Sequence, residues 1–249
     1  MANSRSGDSM TARIVRVLDT FTMDRTTQTT AEIARRSGVP SSSAHRIVGD
    51  LIAAGLLERD DENRVRLGMH LWELALRGSR AMRLRQVALP HMERVQAAIQ
   101  EHTQLAVLEH DEALFLERLS HPDAGANITR IAGRLPVHAS SSGLVLLAFA
   151  APEVRERVLA APLKAVSRET VTDAAALRAL LAAIRRRGWV AAPGSIEQVS
   201  TGVAVPVRER GEVVAALSVI LPRGAPHEPA IAALLAGAAG ITKDLRESH

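Results

Sequence analysis

The sequence predicts a chain of mixed class, with a small, mostly helical N-terminal part joined by a helix to a larger α+β part. Three observations carry this. Between Thr30 and Leu57 apolar residues recur at helical spacing on both sides of Gly38. Directly after Gly55 the period changes to alternation, in Leu56-Leu57-Glu58-Arg59 and Asn63-Arg64-Val65-Arg66-Leu67. In the second half, strand-like runs interleave with helical ones. A length of 249 residues suits one large or two ordinary domains, and an apolar fraction of 47% is ample for packed cores.

In chain order, residues 1–9 read as a disordered tail. Met10 to Phe21 align Ile14, Val15, Val17, Leu18 and Phe21 along one side of a first helix. The Thr-rich stretch Met23 to Thr29 reads as a loop. Ile33, Ala34, Val39, Ala44, Ile47, Val48 and Leu51 then form the inner faces of two short helices, and Gly38 supplies the positive φ of a sharp turn between them. Pro40 and Ser41 open the second helix, with Ser41 expected as its N-cap. Ser42, Ser43, His45, Arg46 and Gly49 are left on an outer face that is small, polar and partly cationic. Such a face suits a helix entering a DNA major groove, and the pattern is that of a helix-turn-helix, although an ordinary helical hairpin would share it. The alternating segment that follows predicts a β-hairpin with the acidic tip Asp60-Asp61-Glu62, placed where a winged helix carries its wing. Arg59, Arg64 and Arg66 on its strands are candidates for phosphate contact or ordinary surface arginines, and the acidic tip argues against deep groove insertion.

Gly68 to Leu89 returns to helical spacing through Leu71, Leu74, Ala75, Leu84 and Val87, interrupted at Gly78 and studded with Arg77, Arg80, Arg83 and Arg85. A linker helix carries this pattern, and its apolar stripe can pair with that of a second subunit. Pro90 is expected to open a separate helix to Glu101. The boundaries drawn are a winged helix-turn-helix at 10–68, a linker helix at 69–89 and a second domain at 90–249, with the division near Gly78.

Leu105–Leu108 and Ala113–Leu119 predict a hairpin, and Asn127–Ile131 a third strand. Leu135-Pro136-Val137-His138 leads through Ser140-Ser141-Ser142-Gly143 into the apolar helix Leu144–Ala150. Helices follow at Glu153–Leu159 and Asp173–Arg187, then strands at Trp189–Ala191, Gly202–Val207 and Val213–Leu221, and a closing amphipathic helix at Pro229–Arg246. This is an α+β sheet large enough to enclose a small-molecule cavity.

Composition limits the function. There is no cysteine, which excludes disulfides, thiolate metal sites and cysteine nucleophiles. No apolar run approaches a membrane span and MANSRSGDSM lacks a signal-peptide core, so a cytoplasmic protein without membrane partners is expected. Residues 1–90 hold 14 Arg, no Lys and 10 acidic residues, whereas residues 91–249 balance 17 basic against 17 acidic ones. The excess of +4 therefore lies on the helix-turn-helix side, where phosphate attraction would use it. No GxSxG, HExxH, GxxxxGK[ST] or strand-borne GxGxxG occurs, and His91, His102, His110, His121 and His138 lack i, i+4 ligand spacing. No catalytic residue, metal or cofactor is assigned, and a DNA-binding protein is favoured over an enzyme with a DNA-binding appendage. Ser140 to Gly143 open a helix, so their N–H groups offer an anion site, while capping alone explains the serines equally well. A chain with no such site would be a purely architectural DNA-binding protein.

The order of motifs resembles the IclR family of bacterial transcriptional regulators from about Thr11 to Leu245, through TAEIARRSGVPSSSAHRIVGDLIAAGLLERD, VRLG, GRLPVHASSSGLVLLAF, RRRGWV and VAALSV. The resemblance implies a GAF-like C-terminal effector-binding domain and a homodimer or dimer of dimers on a palindromic double-stranded operator, as repressor or activator. It places an effector at Ser140, Ser141, Ser142 and Gly143, with His138 beside it and Trp189 near its far wall. Where the family carries an acidic residue, a Cys or Ser and a pair of Ser residues on that wall, this chain has Ala192, Gly202, Ser218 and Ile220, and of these only Ser218 has a hydroxyl. Such a lining favours an aromatic or aliphatic carboxylic acid over a two- or three-carbon oxo acid. Ser41 replaces the family's usual Lys, which removes about one counterion-releasing contact, while His45 and Arg46 fit the pattern. Arg46 is the stronger candidate for base or phosphate contact.

Overall fold

The computed structural model describes residues 8–122, 124 and 128–247, and the chain divides into two compact units between Met82 and Arg83. The first unit contains α1 (Met10–Leu18), β1 (Thr27–Gln28), α2 (Thr30–Ser37), α3 (Ser41–Ala53), β2 (Leu57–Arg59), β3 (Val65–Leu67) and α4 (Met69–Gly78). Val17, Ile33, Val39, Ala44, Ile47, Val48, Leu51, Leu57 and Val65 form its core. Gly38 closes α2 at φ +65°, which sends the chain sharply into α3. A capping box opens α2: the Thr29 hydroxyl accepts from the Glu32 N–H at 3.2 Å and the Glu32 carboxylate accepts from the Thr29 N–H at 2.9 Å.

Local signals mislead at several places here. Residues 1–7 of the expected tail lie outside the described residues, whereas Ser9 caps α1 through the Ala12 N–H and Asp8 pairs with Arg16 at 2.8 Å. Helix α1 stops at Leu18, before Phe21. The expected loop 23–29 contains β1, which pairs antiparallel with β3 to give the sheet order β1-β3-β2. Ser41 is the first helical residue and not the N-cap. Pro40 takes that position, and its carbonyl accepts from the Ala44 N–H at 2.9 Å without any side-chain cap.

The second unit is built on a six-stranded antiparallel sheet in the order β6-β5-β4-β9-β8-β7. Its strands are β4 (His102–Glu109), β5 (Glu112–Leu119), β6 (Arg134–Pro136), β7 (Val190–Pro193), β8 (Ser200–Glu209) and β9 (Glu212–Pro222). The helices are α5 (Arg80–Ile99), α6 (Ser141–Phe149), α7 (Pro152–Ala160), α8 (Ala174–Arg187) and α9 (Glu228–Glu247), with α5 beginning just before the division. Leu84, Ala88, Met92 and Val95 of α5 and Leu234, Ala238 and Ile241 of α9 pack on Leu105, Val203, Val205, Leu217 and Val219 of one sheet face. Helix α6, apolar all round, lies on the other face over Ala106, Ala204 and Ala216, with α8 behind it. Those alanines remove the side-chain bulk that would hold α6 away from the sheet.

Pro90 does not begin a helix but lies within α5. The proline lacks the N–H that would bond Gln86, yet both residues are exposed, so water can satisfy the freed carbonyl while Leu84, Ala88, Met92 and Val95 hold the helix to the sheet. The expected 69–89 helix is thus two helices, α4 and α5, parted at Ser79. The expected strand at 127–131 is also absent: Asn127 lies outside the described residues and Ile128–Ile131 is irregular. Arg134–Pro136 takes the edge position against β5 instead. Among the described residues, no helix is long and apolar enough to cross a membrane.

Candidate functional site

Burying Ala44, Ile47, Val48 and Leu51 turns the opposite face of α3 outward. Ser41, Ser42, His45 and Arg46 are exposed there, Ser43 is half-buried, and Gly49 adds an open backbone surface. His45 and Arg46 have no hydrogen-bond or ion-pair partner among the described residues, so both are free to meet an outside acceptor. Because Pro40 provides no side-chain cap, the first-turn N–H groups of α3 are also uncommitted by side chains, which favours a phosphate at that end.

The wing arginines differ from this. Arg59 donates to the Asn63 carbonyl at 2.8 Å across the hairpin tip. Arg64 reaches the Thr27 carbonyl at 3.1 Å and lies 3.9 Å from Glu32. Arg66 pairs with Glu58 at 2.7 Å. Each already serves the hairpin or ties it to α2, so phosphate contact by any of them competes with an internal partner. The acidic tip is structural as well, since Asp60 accepts from the N–H groups of Glu62 at 3.1 Å and Arg64 at 2.8 Å.

In the second unit, a cavity with about 410 Å³ of free space, part of it continuous with solvent, lies on the α6 side of the sheet. Gln104, Phe115, Gly202 and Ile220 come from four strands, Ala139 to Ser142 from the start of α6, and Ala192, Ser195, Ile196, Glu197 and Ser200 from β7, β8 and their connection. Ile128, Thr129 and Leu135 complete the lining. Ser140 is the N-cap, accepting from the Gly143 N–H at 3.0 Å. A chain of hydroxyls and amides links the helix to the segment across from it. Ser142 Oγ lies 2.8 Å from Ser218 Oγ, Ser218 Oγ lies 3.5 Å from Gln104 Oε1, and Gln104 Nε2 donates to Thr129 Oγ1 at 2.5 Å. Ser195 Oγ donates to the Ala139 carbonyl at 2.6 Å, which fixes the β7–β8 connection beside the helix start. Among the described residues, no lysine or arginine lines the cavity, and Glu197 is the one ionisable lining group. An anion in this cavity would be held by hydroxyls and by the positive end of α6.

Ser140, Ser141, Ser142, Ala192, Gly202 and Ile220, six of the residues expected at an effector site, are brought together in this lining. Ser218 lies fully buried beneath it and reaches it through Ser142. Gly143 is buried in the third helical position, behind the lining. His138 points elsewhere, its Nε2 donating to the Lys164 carbonyl at 2.9 Å. Trp189 is also outside: strand alternation turns Val190 and Ala192 toward α6 and Trp189 toward the other face, where Arg187 lies 4.9 Å over its ring. The sequence reading missed Gln104, Phe115, Ser195 and Glu197. Phe115 sits on the α6 face of a predicted strand, Gln104 lies one residue before the strand expected at Leu105–Leu108, and the Ser195–Glu197 connection carried no local signal.

Two family models match the chain: the IclR helix-turn-helix domain over residues 11–61 and the bacterial transcriptional regulator IclR C-terminal domain over residues 79–239. The crystal structure of an IclR homologue from Microbacterium hydrocarbonoxydans, complexed with 4-hydroxybenzoate, is 62% identical with a TM-score of 0.93, covering 96% of this chain and 100% of that one. An IclR homologue from Microbacterium sp. strain HM58-2 is 61% identical with a TM-score of 0.66, covering 97% and 100%. The Pca regulon regulatory protein of Pseudomonas putida is 30% identical over 211 residues, which is 84% of this chain and 72% of that protein. The chain therefore belongs to the IclR family of bacterial transcriptional regulators, DNA-binding proteins and not enzymes.

Proposed function

We propose that this regulator binds a palindromic operator as a homodimer or dimer of dimers, through the outer face of α3 with support from the wing, and that a single-ring aromatic carboxylic acid in the α6 cavity controls that binding. The carrying observation is the cavity itself: apolar walls from Phe115, Ile128, Leu135 and Ile220, closed at one side by the serine-rich start of α6, with no cationic side chain among the described lining residues. A flat apolar ring suits the walls and a carboxylate suits the helix start. The Microbacterium hydrocarbonoxydans homologue, complexed with an acid of this class, supports the same assignment. Acting on operator DNA places the protein in the cytoplasm.

Assembly is supported by α4, where Met69, Trp72 and Leu76 are 66%, 57% and 39% exposed at helical spacing. An apolar face of this kind calls for a partner, and in a symmetric pair the partner is the same face of a second copy. Effector binding then shifts the population of arrangements that differ in operator affinity. The test is a gel shift on the DNA upstream of the protein's own gene. Benzoate-type acids are expected to change the retarded band while glyoxylate and pyruvate leave it unaltered. A response to the oxo acids alone would overturn the effector assignment, and no retardation of that DNA or of any selected palindrome would overturn the rest.

A further inference from the structure

We infer that Glu197 makes the cavity selective for acids that carry a neutral hydrogen-bond donor, a hydroxyl or an amino group, in addition to their carboxylate; this rests on the aromatic-acid reading of the cavity. Glu197 lines the cavity, is half-buried, and its carboxylate has no hydrogen-bond or ion-pair partner among the described residues. The backbone that presents it is not loose. The Glu197 carbonyl accepts from the Ser200 N–H at 3.1 Å and from the Ser200 hydroxyl at 3.3 Å. Gly194 N–H donates to the Ser200 carbonyl at 2.8 Å, and Thr170 Oγ1 donates to the Ser195 carbonyl at 2.8 Å. The guanidinium held at this connection, Arg223, is already taken, since it donates to Glu169 at 2.9 Å and to the Gln198 carbonyl at 3.0 Å.

A carboxylate partly withdrawn from water and without a partner is under-satisfied. It accepts strongly from a donor and repels negative charge. The start of α6 offers the equivalent of about half a positive charge, enough to favour one carboxylate, but no cation among the described lining residues offsets Glu197. An acid with a plain ring therefore leaves Glu197 desolvated and unpaired, whereas a ring hydroxyl gives it a charge-assisted hydrogen bond. Fluorine matches a hydroxyl closely in size but cannot donate, so fluorinated analogues separate hydrogen bonding from fit.

Calorimetry on the full chain would compare the isomeric hydroxybenzoates, each beside its fluorobenzoate, for the wild type, Glu197→Gln and Glu197→Leu. At least one hydroxy isomer is expected to bind the wild type at least about tenfold more tightly than its fluoro analogue. The advantage should shrink in Glu197→Gln and vanish in Glu197→Leu, with the fluoro acid bound as well as before or better. A wild-type ratio near one for every isomer, or a ratio retained in both variants, overturns the role of Glu197 while leaving the aromatic-acid reading intact. Failure of the wild type to bind any of these acids overturns that reading and this inference together.

Discussion

Gly202 offers the most direct test of the cavity because the perturbation can be sized from the structure. A Cβ built there would stand 2.5 Å from Ser141 Oγ and 3.0 Å from Ser141 Cβ, well inside van der Waals contact. Gly202 lies between Ala192 and Ile220 in the sheet, and Ser141 is the first helical residue of α6, so neither backbone can easily yield. Gly202→Ala therefore has to push the Ser141 side chain into the cavity or part α6 from β8. Overpacking of this kind costs about 1–3 kcal/mol, which corresponds to roughly a 5- to 150-fold loss if it falls on ligand binding. The sign on stability is also informative. Without a clash, Ala in a strand is better than Gly by about 0.5–1 kcal/mol, so a lowered melting temperature reports the collision itself. Calorimetry with 4-hydroxybenzoate and a thermal melt measure both effects, and Ser141→Gly in the Gly202→Ala background should restore much of the loss. A Gly202→Ala protein that binds within twofold of wild type and melts no lower would refute the argued geometry.

The remaining predictions concern the first unit and the charge that ties α5 to the sheet. Arg46→Ala should lower specific operator affinity by about 1–3 kcal/mol with effector binding unchanged, as read by gel shift and calorimetry; retained operator affinity contradicts the assigned role. Ser41→Lys should steepen the dependence of log affinity on log salt by about 0.9, and an unchanged slope would mean that the start of α3 does not approach phosphate. Hydrogen bonds from the Thr29 N–H and hydroxyl hold the Glu32 carboxyl below its ordinary value of 4.5. Its contribution to stability is thus complete above that value and lost as the pH falls through the lowered one. Acid titration of the melting temperature should show this loss in the wild type and a flatter curve in Thr29→Ala, which also forfeits about 1 kcal/mol of capping at neutral pH. Glu117, buried on β5, pairs with the partly exposed Arg85 of α5 at 2.5 Å. Glu117→Ala should cost about 1–3 kcal/mol, between exposed and buried pairs, and a denaturation midpoint equal to wild type would dismiss the pair as a stabiliser.

What the sequence reveals depends on how local the governing interactions are. The helix-turn-helix is legible because its packing residues lie within one short stretch and repeat at the helical period, from Ile33 to Leu51, all of them buried as expected. The wing is legible because its alternation is bounded by an acidic turn. Strand β1 is not, since two residues have no period and are defined only by β3, nearly forty positions later. Pro90 misleads because a positional preference for the first turn is worth less than the apolar contacts of α5 on either side of it. In the cavity, the serines at the start of α6 announce themselves by composition, whereas Phe115, Gln104 and Glu197 join them only through strand pairing and the course of a loop. Trp189 shows the converse error: proximity in sequence to the wall of a site says nothing about which face of a strand a side chain takes, and one residue of register reverses it.

The lack of a cation among the described lining residues suits regulation. An arginine would grip a carboxylate through two charge-assisted hydrogen bonds and would hold many other anions as well. The start of α6 supplies a weaker attraction, so selectivity passes to the ring and its substituents, where Phe115, Ile220 and Glu197 meet the ligand in the proposed reading. A tenfold change in operator affinity requires a difference of only about 1.4 kcal/mol between the effector's binding to two arrangements. One hydrogen bond, worth about 0.5–1.5 kcal/mol net, supplies nearly that much. The chain from Ser142 through Ser218 and Gln104 to Thr129 contains several such bonds and crosses from the helix to the segment that faces it. A carboxylate that takes the Ser142 hydroxyl for itself must alter the first of them, and the rest are linked to it.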